Sequence, residues 1–315
     1  MLIKGTCQKK DLLLAIHDAI LSPGSNWSEI SSNKTNDYKW EEPMTDGWVF
    51  KSPPIGTKNQ SVVLELKSID LSITSASSSV GCGGNTICMW LADDYTPSET
   101  ESTNGKFATR GTLNTLLFAQ ADNTYCRPID LFDYFVDVLD HRLLIIIQRH
   151  VSTTISYPHF VYIGYPEPNT NIEGTNYTNQ FIVGSNINCQ SNKTVACVHW
   201  HKGSNGYYNQ FACTKCYLNS ANPNPMGLYL LTPIEVTGDG GSGIGNTGPL
   251  GVLSGLYGMP TSNIVNGDTI TIGSDTYQAF VTSQWMPNTS GYYGATNTSY
   301  YMNGITPTVI ALKME

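Results

Sequence analysis

The sequence predicts a mainly β fold: a β-sandwich or barrel-like body with one short N-terminal α-helix. Three observations predict it. Roughly ten short runs of apolar, β-branched and aromatic residues recur along the chain, separated by Gly, Asn, Asp and Pro. Asn266-Gly-Asp268 and Gly273-Ser-Asp275 place residues that tolerate positive φ between apolar runs, which is hairpin chemistry. Apolar spacing with a helical period occurs clearly in one place, near the N-terminus.

Taken in order, Leu12, Leu13, Ala15, Ile16, Ala19 and Ile20 mark that helix, with Asp11 as its N-cap and Ser22-Pro-Gly24 as its stop. An Asn/Ser-rich stretch follows to about Asp46, with Trp27 and Trp40 as isolated anchors. Gly47-Trp-Val-Phe50 opens the strands. The run from Val62 to Ile73 alternates in two phases, which predicts a bulge near Lys67-Ser68. Ile87 to Leu91 is a short strand, and Asp93-Asp94 after it reads as a solvated turn. Leu131 to Leu139 alternates imperfectly before a turn at Asp140-His141-Arg142. Leu143 to Ile147 is a continuous apolar run and reads as a strand buried on both faces. Phe160 to Ile163 is another strand, ended by Pro166 and Pro168; Leu228 to Leu231, Thr269 to Ile272, Tyr277 to Thr282 and Thr308 to Lys313 complete the set. The expected organisation is a helix and polar linker over 1–46 and a β-rich body over 47–315, as one unit or two sandwich halves, with a cysteine-containing excursion over 186–223.

The chain has 315 residues, a net charge of −8 and only 13 % charged residues, against about 25 % in ordinary globular chains. Asn, Ser, Thr, Gly and Tyr fill the gap. Neutral polar surfaces suit large contacts with other chains, because burying an amide or hydroxyl costs less than burying an unpaired charge. No basic run extends beyond Lys9-Lys10, so a direct nucleic-acid footprint is not expected. No apolar run is long enough to predict a transmembrane helix, and Asp11, His17 and Asp18 interrupt the N-terminal run that would otherwise mimic a signal peptide. Synthesis and folding in a cytoplasm are the expectation.

Eight cysteines are present: Cys7, Cys82, Cys88, Cys126, Cys189, Cys197, Cys213 and Cys216. The last four cluster, and His199 and His201 follow Cys197 closely. Disulfides (Cys82 with Cys88, and pairs within Cys189 to Cys216), free thiols, and a structural zinc ion held by four of the clustered groups are all open readings. No cofactor, metal ligand or catalytic residue is assigned. His17, His141, His150 and His159 are scattered, and no nucleophile-elbow, zinc-protease or kinase signature occurs. Asp93, Asp94, Glu99, Asp133, Asp137 and Asp140 could supply a sugar-cleaving pair, but sequence does not bring two of them together. The Gly238 to Gly248 loop lacks the Lys-Ser/Thr and helix of a phosphate-binding loop. It reads as a flexible or partner-ordered loop.

The order of motifs carries a resemblance. Gly47-Trp-Val-Phe-Lys-Ser52 is followed by Phe160-Val-Tyr-Ile-Gly-Tyr-Pro-Glu-Pro168, Phe181-Ile-Val-Gly-Ser185, Gly251-Val-Leu-Ser-Gly-Leu-Tyr-Gly258, Ile270-Thr-Ile-Gly-Ser-Asp-Thr-Tyr277 and Val309-Ile-Ala-Leu-Lys313. This resembles a family of virion structural proteins of tailed bacteriophages, with a Gly-Leu-Tyr-Gly-like turn among its shared features. The resemblance covers most of the chain from Gly47 onward, with gaps; the cysteine-containing excursion departs from it. It implies a β-rich subunit of the tail, neck or baseplate, located in the virion and associating with copies of itself and neighbouring virion proteins, without catalysis of its own. The N-terminal helix, its apolar face lacking an obvious local partner, is the expected docking element. Two other readings are a host-surface glycan-binding tail protein, using the Trp285 to Tyr301 region, and a polysaccharide-degrading tail enzyme.

Overall fold

The computed structural model describes residues 1–32, 47–55, 60–70, 85–98, 105–111, 114–116, 127–150, 158–168, 180–184, 187–189, 197–203, 206–210, 212–215, 231–238, 249–260, 264–282 and 308–314. The fold is mainly β. Its elements run β1 (Leu2–Gln8), a 3-10 turn (Lys9–Asp11), α1 (Leu12–Ile20), β2 (Ser28–Glu29), β3 (Trp48–Lys51), β4 (Val63–Asp70), β5 (Asn85–Thr96), β6 (Lys106–Arg110) and β7 (Asn114–Leu116). Then come β8 (Leu131–Leu139), β9 (Arg142–Arg149), β10 (His159–Gly164), β11 (Phe181–Gly184), β12 (Ile187–Cys189), β13 (Cys197–Gly203), β14 (Gly206–Gln210) and β15 (Ala212–Lys215). The last are β16 (Thr232–Gly238), β17 (Pro249–Pro260), β18 (Thr269–Ile272), β19 (Asp275–Thr282) and β20 (Thr308–Met314).

These strands form three antiparallel sheets. The first has the order β1-β8-β9-β10-β11-β13-β14; the second has β12-β7-β5-β4-β3-β2, with β6 also on β5; the third has β15-β16-β17-β20-β19-β18. The first two share one core. Leu143, Ile145 and Ile147 of β9 meet Leu64 and Leu66 of β4 and Ile87, Met89 and Leu91 of β5 there. The alternate residues of β9, Leu144 and Ile146, are also buried. They share a face with Phe135 of β8, which meets Phe280 of β19 edge-on at 4.8 Å. The first sheet is therefore the middle of three layers. A strand wet on neither face reads as an unbroken apolar run, and Leu143 to Ile147 is that run. The third sheet turns Met259, Ile270, Tyr277, Ala279 and Ala311 to its far side, where they form a separate small core.

Three sequence expectations are corrected, and a fourth, Asp11 as N-cap, holds in position only. The helix is not left to dock on a neighbour: Leu12, Leu13, Ile16, Ala19 and Ile20 lie in the main core. Asp11 stands at its N-cap position but makes no side-chain capping bond, because the preceding 3-10 turn gives it a helical backbone (φ −98°, ψ −5°). No bulge interrupts Lys67-Ser68; β4 pairs with β5 in one continuous register from Val63↔Ala92 to Asp70↔Asn85. Both faces of β4 are covered where they are described: Leu64 and Leu66 enter the main core, whereas Val63 joins Val49, Ala92 and Tyr95 on the other side; residues 71–73 of the expected run lie outside the described residues. Asp93 and Asp94 are exposed, but they sit within β5 rather than in a turn.

The Leu2–Gln8 segment forms β1, a strand not expected from sequence, and pairs along its length with β8. Strands β12 to β15, from the cysteine-containing region, extend all three sheets. Of the expected strand Leu228 to Leu231, residues 228–230 lie outside the described residues and Leu231 immediately precedes β16.

Candidate functional site

A buried polar constellation lies at the joint between the first and third sheets. It is built from three local devices. Asp140 and His141 turn β8 into β9 and deliver Arg142 to the face that looks at the third sheet. Gly164, at φ +136°, ends β10 where a Cβ would strike the His141 carbonyl and Arg142 Cα; this close approach lets Tyr165 N–H donate to His141 O at 3.0 Å. The chain then reaches Glu167, whose backbone exchanges hydrogen bonds of 3.0 and 2.8 Å with Val252 of β17.

Strand β17 accommodates the joint by being irregular. Ile234 of β16 alone stands opposite residues 253–256, and Gly251 and Gly255 take φ of +148° and +67°. The expected Gly-Leu-Tyr-Gly turn is thus a bulged stretch inside a strand. Its extra residues put Ser254 and Gly255 over the polar groups of the first sheet. A Cβ on Gly255 would stand 2.9 Å from the Arg142 guanidinium.

Arg142 is 1 % exposed. It donates to Asp137 Oδ2 at 2.6 Å and to the Asp137 carbonyl at 3.3 Å, while its Nε is buried without a hydrogen-bond partner. Asp137 also faces the Met1 ammonium at 3.2 Å. Tyr162 is fully buried and donates to the Tyr165 carbonyl at 2.5 Å. Burial pushes the Tyr162 phenol far up, so it stays a neutral donor. Ser254 Oγ donates to the Glu167 carboxylate, and His141 Nε2 lies 3.8 Å from the same carboxylate. The order Ser–Glu–His is wrong for a hydrolase relay, which needs the imidazole between nucleophile and acid. What this geometry does is hold two layers in register.

The carboxylates singled out for a sugar-cleaving pair are engaged separately. Asp137 belongs to Arg142. Asp133 accepts from Thr6 and contacts His150, both at 2.5 Å. Asp94 pairs with Lys51 at 3.0 Å and Asp140 accepts from Asn26 at 2.9 Å. Glu99 lies outside the described residues. A further pair that sequence did not single out joins Asp130 to Arg149 at 2.6 Å, with Arg127 at 3.0 Å. Glu65 is bound by Arg110, whose guanidinium lies 4.0 Å from the Trp90 ring centroid.

Cys7 is a free thiol, pushed up to about 11 by burial and then by Asp11 and Asp133. It is protonated at neutral pH and a poor nucleophile. Cys88 is buried on β5, and its suggested partner Cys82 lies outside the described residues. Cys189, Cys197 and Cys213 have their backbones on β12, β13 and β15, strands of three different sheets, and His199 and His201 are on β13. Their side chains, together with Cys126, Cys216, the Gly-rich loop at 239–248 and the aromatic region from Trp285 to Tyr301, lie outside the described residues. Among the described residues no group of three or more His, Cys, Asp or Glu is placed to hold a metal ion, and no helix is long and apolar enough to cross a membrane.

Sequence reasoning noticed the segments of the joint but not its contents. Gly251 to Gly258 and Phe160 to Pro168 were legible as glycine- and proline-punctuated strands; Arg142 read as a turn residue. The one available signal was an Arg set directly against a five-residue apolar run. No protein-family model matches the chain, and no curated protein matches it.

Proposed function

We propose that this protein is a structural subunit of a tailed-bacteriophage virion, assembling into the tail, neck or baseplate with copies of itself and neighbouring virion proteins. The observation that carries this reading is where the resembling segments meet. Phe160 to Pro168 ends at the Glu167–Val252 bridge. Gly251 to Gly258 is the bulged strand on the other side of that bridge, and it pairs through β20, which contains Val309 to Lys313, with β19 and the Ile270 to Tyr277 hairpin. The motifs that suggest the family are thus used for joining layers. Segments spent on architecture fit a building block, which works through the surface its layers present. The low charge of the chain suits that role, since neutral polar faces desolvate cheaply on association.

The test is proteomics of purified particles combined with deletion of the coding sequence. The expected result is the chain in fixed stoichiometry with the other virion proteins, and assembly arrested at a defined stage in the deletion. Complete, infectious particles without the chain would overturn the reading. Retained assembly with lost adsorption would replace it with host-surface glycan binding. Turnover of host envelope polysaccharide by the purified chain would replace it with the enzyme reading.

A further inference from the structure

Away from the layer joint, one imidazole is placed between two carboxylates. His17 is the last-turn basic residue of α1. Its ring rests against Trp48, with centroids 4.3 Å apart, and Phe50, at 5.6 Å, both on β3. Nδ1 is 2.8 Å from Asp18 Oδ1 on the same helix, and Nε2 is 3.3 Å from Glu29 Oε2 on β2. A neutral imidazole owns one N–H and one lone pair. Either neutral tautomer therefore points a lone pair at a carboxylate, and only the imidazolium donates to both.

The Glu29 end makes the protonation state matter. Its side chain is 11 % exposed, and its second oxygen, Oε1, is buried without a hydrogen-bond partner. The surrounding elements bring no second cation to the carboxylate among the described residues. Strand β3 presents Trp48 and Phe50, and its Lys51 is committed to Asp94 of β5. The β4 residues in the core with the helix are Val62 just before the strand, then Leu64 and Leu66, and Glu65 is bound by Arg110. Strand β1 brings the neutral thiol of Cys7, and β8 brings Tyr134, whose phenol is pushed up by burial and by the Asp18 carboxylate. Asp11 stands at the opposite end of the helix.

Strand β2 is only two residues long. It forms the edge of the second sheet through Ser28↔Lys51 and Glu29↔Phe50, and the chain after it is held by Ile30 N–H to Val49 O at 2.8 Å and Val49 N–H to Ser31 Oγ at 2.7 Å. So short a ladder is weak by itself.

We propose that His17 is a proton-operated latch: as imidazolium it ties edge strand β2 to helix α1 through Glu29, and on losing its proton it lets β2 go and uncovers the edge of β3. The electrostatics agree in direction. Burial pulls the His17 pKa down, but the hydrogen bonds to Glu29 and Asp18 and their charges outweigh it, and the net value is raised. With the folded pKa above the ordinary value of about 6.5, the latch contributes fully below that value. It is lost as pH rises through the folded pKa.

The test uses the full chain. Proton NMR of the His17 ring gives its midpoint, and hydrogen exchange of the Ile30 amide, corrected for intrinsic rate, is followed from pH 5 to 9. We expect a midpoint above the ordinary one, lowered by Glu29→Gln, and Ile30 protection that falls through the midpoint by up to about tenfold for each unit of elevation. His17→Gln should flatten that pH dependence. Should His17→Gln fail to fold, the Glu29→Gln titration together with wild-type exchange still decides. An ordinary or depressed midpoint, a midpoint indifferent to Glu29→Gln, or pH-independent Ile30 protection would overturn the latch.

Discussion

Arg142 concentrates the residue-scale physics. A guanidinium this deeply buried is tolerated because Asp137 answers its charge and because Gly255 leaves room for it. Removing one partner strands the other, which typically costs about 3–5 kcal/mol, whereas replacing both by apolar groups of similar volume is often close to neutral. Asp137→Leu, which leaves Arg142 buried without its carboxylate, should therefore destabilise by about that amount in urea unfolding, and adding Arg142→Met should recover most of it. Gly164 has a different constraint: its positive φ and the His141 carbonyl leave no place for a Cβ. Gly164→Ala should cost about 1–3 kcal/mol, read by the same unfolding experiment. Asp130 supplies an acid-side term. Burial raises its pKa, but Arg127 N–H and the two guanidinium groups outweigh this and hold it below the usual carboxylate range. A depressed folded value means the stabilisation is present above the unfolded pKa of about 3.9 and disappears as pH falls through the folded one. The stability gap between wild type and Asp130→Asn should close over that acid range, as followed by thermal melts.

At the scale of elements, α1 shows how spacing becomes burial. Leu12, Leu13, Ile16, Ala19 and Ile20 lie on one side and enter the main core, while Ala15 is half-buried and Leu14 on the opposite side is 39 % exposed. Ile16→Ala should cost about 2–5 kcal/mol and Leu14→Ala less than about 0.5 kcal/mol, measured by chemical denaturation. Equal, small effects would show the helix face free, as the sequence reading had it. The helix was legible because its pattern is local; its partner was not, because β8 and β4 are distant in sequence. Strand β1 escaped notice for a related reason. Leu2–Gln8 mixes Lys4, Gly5 and Gln8 with apolar residues, so neither period stands out, and pairing with β8 decides its conformation. Strand β4 was seen but misread, since two buried faces blur the alternation that one-faced strands display.

The whole molecule is three layers held by the middle sheet. Apolar packing between the middle layer and the third sheet includes Phe135 and Phe280, and a double-mutant cycle on that pair should give a coupling of about 0.5–1.5 kcal/mol. A coupling near zero would leave the joint to the polar groups, the Glu167–Val252 bridge and the other apolar residues of that face, Leu144 and Ile146. At this scale little of the joint was legible: Arg142, the Tyr162 to Glu167 segment and Ser254 come from three places in the chain, with no spacing relation between them. The low charge and abundant turn residues were legible at once, and they support the proposed assembly role.

By itself, the sequence determined strands such as β8, β9, β10, β18, β19 and β20, where the helix lies and where the Gly273-Ser274 hairpin turns, because propensity, periodicity and turn chemistry act over a few neighbouring residues. Only the tertiary structure decided that the helix faces inward, that the glycine-rich Gly251 to Gly258 segment is a bulged strand, and that Arg142 and His17 each sit against carboxylates. Those outcomes depend on long-range pairing and on the loss of water around charges, and neither is written in local spacing.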